Sequence, residues 1–167
     1  MSHAPHGPEG ALYPGTCREL TSFEREARVA AGEAHCWRLD ISRAASQTGS
    51  LVFEDEVKGI TIVDAHLLGD VVLARKDIAT SYHLAVVIDD AFQQITHVTR
   101  GEDLHEATHV HRILQSLLGL PVPVYHHHRL ILDECGKRLA KRDKAHTIRA
   151  LRESGQSPEQ VLERLVE

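Results

Sequence analysis

His105-Glu106-Ala107-Thr108-His109 sets two imidazoles four residues apart around a carboxylate. On a helix that spacing brings both rings to one face, where they can share a zinc ion while the glutamate activates water. No distal acidic motif extends the pattern, although His111 and the run His126-His127-His128 offer further nitrogens. With 13 histidines in the chain, chance accounts for such a match readily, and a His-ligated zinc hydrolase stays only as an alternative. Side chains alternate along a strand, so His126, His127 and His128 cannot all face one metal; they read better as a polar strand beside a site.

Gly136 to Asp143 is a glycine turn followed by clustered cations, Lys137, Arg138, Lys141 and Arg142. Such a loop can clamp phosphate, because Lys and Arg stabilise charge spread over phosphate oxygens. Arg100-Gly101-Glu102-Asp103 follows directly on the β-branched run Ile95 to Thr99. A strand end facing a helix start is where α/β proteins place ligands, and the same four residues also read as a turn with an N-cap at Asp103. The charge is unevenly spread. Lys137 to Arg152 holds seven Lys/Arg against one acid, while the whole chain nets −5. A basic segment on an acidic body suits a polyphosphate or an RNA backbone at one place, and equally a solvated helix face.

The elements that must position these residues follow from periodicity. The spacing predicts helices over 19–32, 81–92 and 104–118, the last ended by Gly119 with Pro121 beyond it. Two short helices, 147–153 and 159–165, close the chain, with Ser157-Pro158 as cap and first-turn proline of the second. Strands are expected at 37–41, 51–54, 57–63, 71–74, 95–99 and 124–132, with turns at Gly59 and Gly69 and over 133–136. Residues 44–50 are small and polar and read as a loop; the first sixteen are an aperiodic Pro/Gly-rich arm. From residue 81 helices and strands alternate, which favours an α/β layered fold.

Composition bounds the rest. With 42% hydrophobic and 26% charged residues the chain is neither disordered nor membrane-embedded, and no apolar run reaches the ~20 residues of a spanning helix. The N-terminus has no hydrophobic signal region, and three scattered cysteines (Cys17, Cys36, Cys135) make no disulfide framework, so a cytoplasmic protein with no membrane partner is expected. Only seven residues are aromatic, so Leu, Val, Ile and Ala must build the core.

Four strings in this order, Ser81 to Asp90, Ile95 to Leu104, Leu117-Leu118-Gly119-Leu120-Pro121 and Gly136 to Asp143, resemble the class I glutamyl-tRNA synthetase family, and within it the short branch that glutamylates queuosine in tRNA(Asp). The resemblance runs over residues 8–165 and implies the second half of a Rossmann-like nucleotide-binding catalytic domain. It divides the chain into a remnant of the zinc-binding and connective insertion (1–75), that half domain (76–146) and a C-terminal helical segment (147–167). By position, Tyr82 and Arg100 match the residues that hold glutamate. A guanidinium pairs with a carboxylate and a phenol adds a hydrogen bond. Arg138-Leu139-Ala140-Lys141-Arg142 matches the KMSKS-type loop, with Lys141 on the lysine that neutralises ATP phosphates and Ala140 in place of serine. Tyr13 and Cys17 match the second half of the family's zinc site. The implied cofactors are ATP with Mg, and Zn in the intact site; the implied partners are glutamate and tRNA(Asp) carrying queuosine, and the intact enzyme would be a monomer. The family's HIGH motif and first C-x-C pair do not occur in these residues, so the chain reads as a C-terminal portion, inactive on its own. A non-catalytic module that grips tRNA or a partner through 137–152 is the other reading.

Overall fold

A computed structural model describes residues 6–7, 10–75, 77, 79–132 and 147–166. They fall into two compact units divided after His128.

The first unit is organised around a four-stranded sheet. Its strands are β4 (Val52–Asp55), β5 (Gly59–Ile62), β7 (His97–Gly101) and β8 (Val124–His128), in the order β5-β4-β8-β7. β4, β8 and β7 run parallel, and β5 returns antiparallel on β4 through a turn that ends at Gly59, φ +76°. Two shorter ribbons precede or flank it: β1 (His6–Gly7) with β2 (Gly10–Ala11), and β3 (Cys36–Arg38) with β6 (Val72–Arg75).

One face of the sheet is covered by α4 (His105–Leu118), which enters through a single 3-10 turn, Glu102–Leu104. Along β4 only Phe53 and Asp55 are buried, and along β8 only Tyr125 and His127, so the period-2 alternation sends these four to the α4 side. The helix is buried almost all round. Val110 and Leu114 pack with Leu68, Val71 and Val87, the last from α3 (Tyr82–Phe92). Ile113 packs on Ile41 and Ala44 of α2 (Ile41–Thr48). Each such aliphatic side chain contributes about 1.5–3 kcal/mol by leaving water. What remains of the α4 surface, Thr108, His111 and Gln115, is polar yet buried, and it faces the sheet's own polar residues.

Several sequence expectations change. Residues 44–50 are not a loop: α2 runs to Thr48, and the expected strand 37–41 ends at Arg38. The Asp40 carboxylate caps the helix by accepting from the Arg43 amide at 3.1 Å, and burial of Ile41 and Ala44 supplies what the polar sequence lacks. Asp103 is not a cap; Leu104 occupies that position, with no side-chain bond. The strand 124–132 stops at His128, where its pairing with Gly101 ends. The strand 57–63 shortens to β5 because the turn takes its first residues. The helix α1 (Ser22–Ala30) is narrower than 19–32, set by a Thr21/Glu24 capping box. The turn 133–136 lies outside the described residues.

In the second unit α5 (Ile148–Glu153) and α6 (Pro158–Val166) form where expected, capped by Thr147 and by the Ser157/Gln160 pair. No helix of the described residues is long and apolar enough to cross a membrane.

Candidate active site

Parallel pairing puts Arg100 of β7 directly beside His127 of β8, and Val98 beside Tyr125. Arg100 therefore leaves the sheet on its α4 side, near the carboxyl end of the strand. Its guanidinium is surrounded by side chains from three elements. Nε donates to His127 Nε2 at 3.0 Å, Nη1 to the Tyr82 hydroxyl at 3.1 Å and Nη2 to Thr108 Oγ1 at 2.6 Å. His111 Nδ1 lies 3.3 and 3.4 Å from Nη1 and Nη2. The Tyr125 ring lies 5.3 Å beneath the guanidinium carbon. Thr108 and His111 come from α4, one turn apart, and Tyr82 is the first residue of α3. Ser81 caps α3 and is itself tied to β6 by its amide, 2.7 Å from the Leu73 carbonyl, which fixes where Tyr82 starts.

Every one of these acceptors is uncharged. No carboxylate among the described residues forms an ion pair with Arg100; Asp90 on α3 interacts with it electrostatically, burial pushing that carboxyl up while Arg100 pulls it down. A half-buried cation held only by neutral groups keeps its charge available to an anion. Its approach is from the Tyr82 side, because Tyr82 is 49% exposed whereas His111 and His127 are each 1% exposed.

Behind the cation lies a chain of buried polar groups. His127 Nδ1 bonds Asp55, whose Oδ1 accepts the Val57 and Lys58 amides at 2.9 Å each. Burial pushes the Asp55 carboxyl up, but the bonds from His127 and the two amides outweigh it and hold it at about 2. Burial, followed by the Arg100, His83 and His127 charges, holds His111 neutral down to about 2. Burial, then Lys58, His127 and His109, does the same for His105, down to about 4.

Asp55, His105 and His127 offer three ligand atoms within 4.8 Å of one another, and His105 Nε2 is buried without a hydrogen-bond partner. The set does not fit a divalent cation as it stands. His127 is committed at both nitrogens, to Arg100 and to Asp55, and Lys58 adds a second positive charge nearby. His105 and His109 do not act as a pair either: their ring centroids are 5.8 Å apart, but His109 Nδ1 accepts the Asp64 amide at 2.9 Å and its ring packs edge-on against Phe53.

Of the sequence candidates, Tyr82 and Arg100 are brought together. Tyr13 and Cys17 also meet, the Tyr13 hydroxyl accepting the Cys17 amide at 2.7 Å, and both line a cavity of about 460 Å³ with Cys36 and His35. Arg138, Leu139, Ala140, Lys141 and Arg142 lie outside the described residues. Sequence reasoning did not single out Asp55, Thr108 or His83, and it named His111 only as a further nitrogen for a metal. The signal that could have found His127 was the alternation of His126 to His128, which puts one imidazole inward beside Arg100.

A family model for the catalytic domain of class I tRNA synthetases (E and Q) matches residues 3–167. The chain is 50% identical over 170 residues to a glutamyl-Q tRNA(Asp) synthetase of Rhodobacter capsulatus, covering 95% of this chain and 57% of that protein. It is 46% identical to a protein of the same name from Nocardia farcinica, covering 95% of this chain and 48% of the other. The chain thus spans about half the length of these relatives. Among solved structures, a glutamate-tRNA synthetase from Elizabethkingia anophelis superposes with a TM-score of 0.62 at 29% identity, over 81% of this chain and 28% of that one. A glutamate tRNA ligase from Elizabethkingia meningosepticum, crystallised in complex with its amino acid, gives 0.61 at 29% identity, over 79% and 27%.

Proposed function

The chain belongs to the catalytic-domain family of class I glutamyl and glutaminyl tRNA synthetases, and we propose that within it these residues carry the glutamate-binding side of an ATP-dependent ligase that charges queuosine of tRNA(Asp). In that reaction a glutamate carboxylate oxygen attacks the α-phosphorus of ATP, pyrophosphate leaves, and the glutamyl group of the adenylate passes to the modified base. Such catalysis is positioning and electrostatic stabilisation more than covalent chemistry.

The observation that carries the reading is the Arg100 guanidinium, held by neutral groups with a half-exposed phenol at its open side. A carboxylate arriving there meets the guanidinium charge and competes with the Tyr82 hydroxyl for the Nη1 N–H. It also accepts a hydrogen bond from the Tyr82 hydroxyl, whose oxygen is the acceptor toward Arg100. ATP, with Mg, would be met by Lys141 within 138–142, supplying positive charge to the phosphates. The tRNA(Asp) and queuosine specificity rests on the names of the most similar relatives. A zinc ion on Tyr13 and Cys17 would need ligands beyond these two.

Calorimetric titration of the 167-residue chain tests the reading. L-glutamate is expected to bind and L-glutamine to bind at least about tenfold more weakly, because a side-chain carboxamide, unlike a carboxylate, forms no ion pair with the guanidinium. Arg100→Gln is expected to abolish the difference. Equal binding of both ligands by the unaltered chain would refute it.

A further inference from the structure

Proton counting around Arg100 fixes more than its position. A guanidinium only donates. His127 Nε2, 3.0 Å from Arg100 Nε, must therefore present its lone pair, so the ring proton sits on Nδ1 and points at Asp55. His111 obeys the same rule: Nδ1 accepts from the terminal nitrogens of Arg100, and the proton on Nε2 faces His83 Nδ1 at 3.2 Å. Thr108 Oγ1 accepts from Nη2, and its own proton has two acceptors, the Leu104 carbonyl at 3.3 Å and the lone pair of His127 Nε2 at 3.2 Å.

We propose that Asp55, acting through His127, is a positioning residue for the Arg100 carboxylate site: it fixes His127 as a neutral acceptor, which aims the guanidinium without cancelling its charge. A carboxylate touching Arg100 directly would aim it as well, but would also satisfy the charge that the ligand is to meet. The imidazole separates the two effects. Its Nδ1 proton is set by Asp55, and Asp55 is set in turn by the Val57 and Lys58 amides of the β4–β5 turn. Asp55 and His127 are each 1% exposed, so water cannot substitute for either partner. The inference rests on the reading of Arg100 as the glutamate anchor.

Asp55→Asn gives the sharpest test. The amide oxygen of the new side chain is claimed by the two backbone N–H groups, so its NH2 faces His127 Nδ1, and two donors oppose each other. The imidazole then has to invert its tautomer and present Nε2–H to Arg100. Nitrogen-15 spectra of the histidine-labelled 167-residue chain are expected to show His127 as the Nδ1–H tautomer in the unaltered protein and as Nε2–H in Asp55→Asn. Glutamate affinity is expected to fall about tenfold in that variant. His127→Gln, which keeps one donor and one acceptor, should hold affinity within about threefold, while His127→Leu should lose it as Asp55→Asn does. The Gln and Leu pair decides the matter even where Asp55→Asn fails to fold. A purely structural role would let affinity follow the thermal midpoint and leave Gln and Leu alike.

The outcomes separate the two claims. If the unaltered chain does not bind glutamate, or binds glutamine equally, the functional reading falls and the inference with it. If it binds glutamate and loses it on Arg100→Gln, but shows His127 as Nε2–H or imidazolium, or is indifferent to Asp55→Asn, the inference alone is overturned.

Discussion

At the scale of single residues, the electrostatics around Arg100 make a direct prediction about acid. His105, His109, His111 and His127 are all held neutral chiefly by burial, His105 down to about 4 and His111 to about 2. In the unfolded chain histidines titrate near the ordinary value of about 6.5. Below that pH the unfolded state takes up protons that the native state refuses, so stability falls as pH drops. Each such histidine costs up to about 1.4 kcal/mol per pH unit between roughly 6.5 and its own native value. Asp55, held at about 2 in the fold, adds a loss below about pH 4, because its unfolded form protonates first. Asp90, whose carboxyl is pushed up by burial, works in the opposite sense but is one group against several. Thermal midpoints measured from pH 8 to 4 are expected to fall steadily below about 6.5; a flat profile would mean that these imidazoles are not buried together. At the same scale, Tyr82→Phe removes one hydroxyl at an exposed position, so it should weaken glutamate binding several-fold while changing stability by no more than about 0.5 kcal/mol. Tyr82 and Arg100 are legible as a pair only because the family resemblance implies them by position; no local spacing links them. Asp55 and His127, 72 residues apart, are not legible as a pair, because only the sheet's pairing brings them together.

At the scale of elements, α4 is the piece on which the site depends, since it supplies Thr108 and His111 and seats both hydrophobic clusters. Its end was legible. Gly119 adopts the left-handed conformation at φ +64° and its amide closes the last turn. Open space surrounds the position where a Cβ would stand, so Gly119→Ala isolates the backbone cost, expected at about 1 kcal/mol. A urea midpoint shift with unchanged slope would measure it, and no shift would mean that the helix frays before Gly119. The long, periodic α3 and α4 declared themselves, because their apolar residues recur at helical spacing. α2 did not: Ile-Ser-Arg-Ala-Ala-Ser-Gln-Thr is only eight residues long, and Ile41 is its one large apolar side chain. It is held by contacts that no local pattern announces, Ile113 from α4 and the Asp70 carboxylate, which takes the Ile41 amide at 3.0 Å while pairing with Arg18. Asp70→Ala would strand that amide in a buried site and is expected to cost about 1–3 kcal/mol.

At the scale of the whole molecule, binding glutamate and activating it are separable demands. Arg100, its acceptors and the groups behind them are complete within the first unit, since every partner of the guanidinium lies between Asp55 and His127. Adenylate formation asks for more: the α-phosphorus of ATP must be held in line with the carboxylate, and the charge developing on the pyrophosphate must be met. On the proposed reading, Lys141 and its neighbours would serve the second task, while these 167 residues contain no HIGH motif for the first. They also span about half the length of the glutamyl-Q tRNA(Asp) synthetases they resemble. The two functions should therefore come apart in this chain. Glutamate is expected to bind, with Arg100→Gln abolishing it, while glutamate-dependent exchange of pyrophosphate into ATP stays at the level of the protein-free blank. Exchange at the rate of an intact synthetase would mean that residues within these 167 hold the nucleotide without a HIGH motif. The phosphate-binding role would then have to be sought among the cations of 137–152, where Lys141→Ala should remove it.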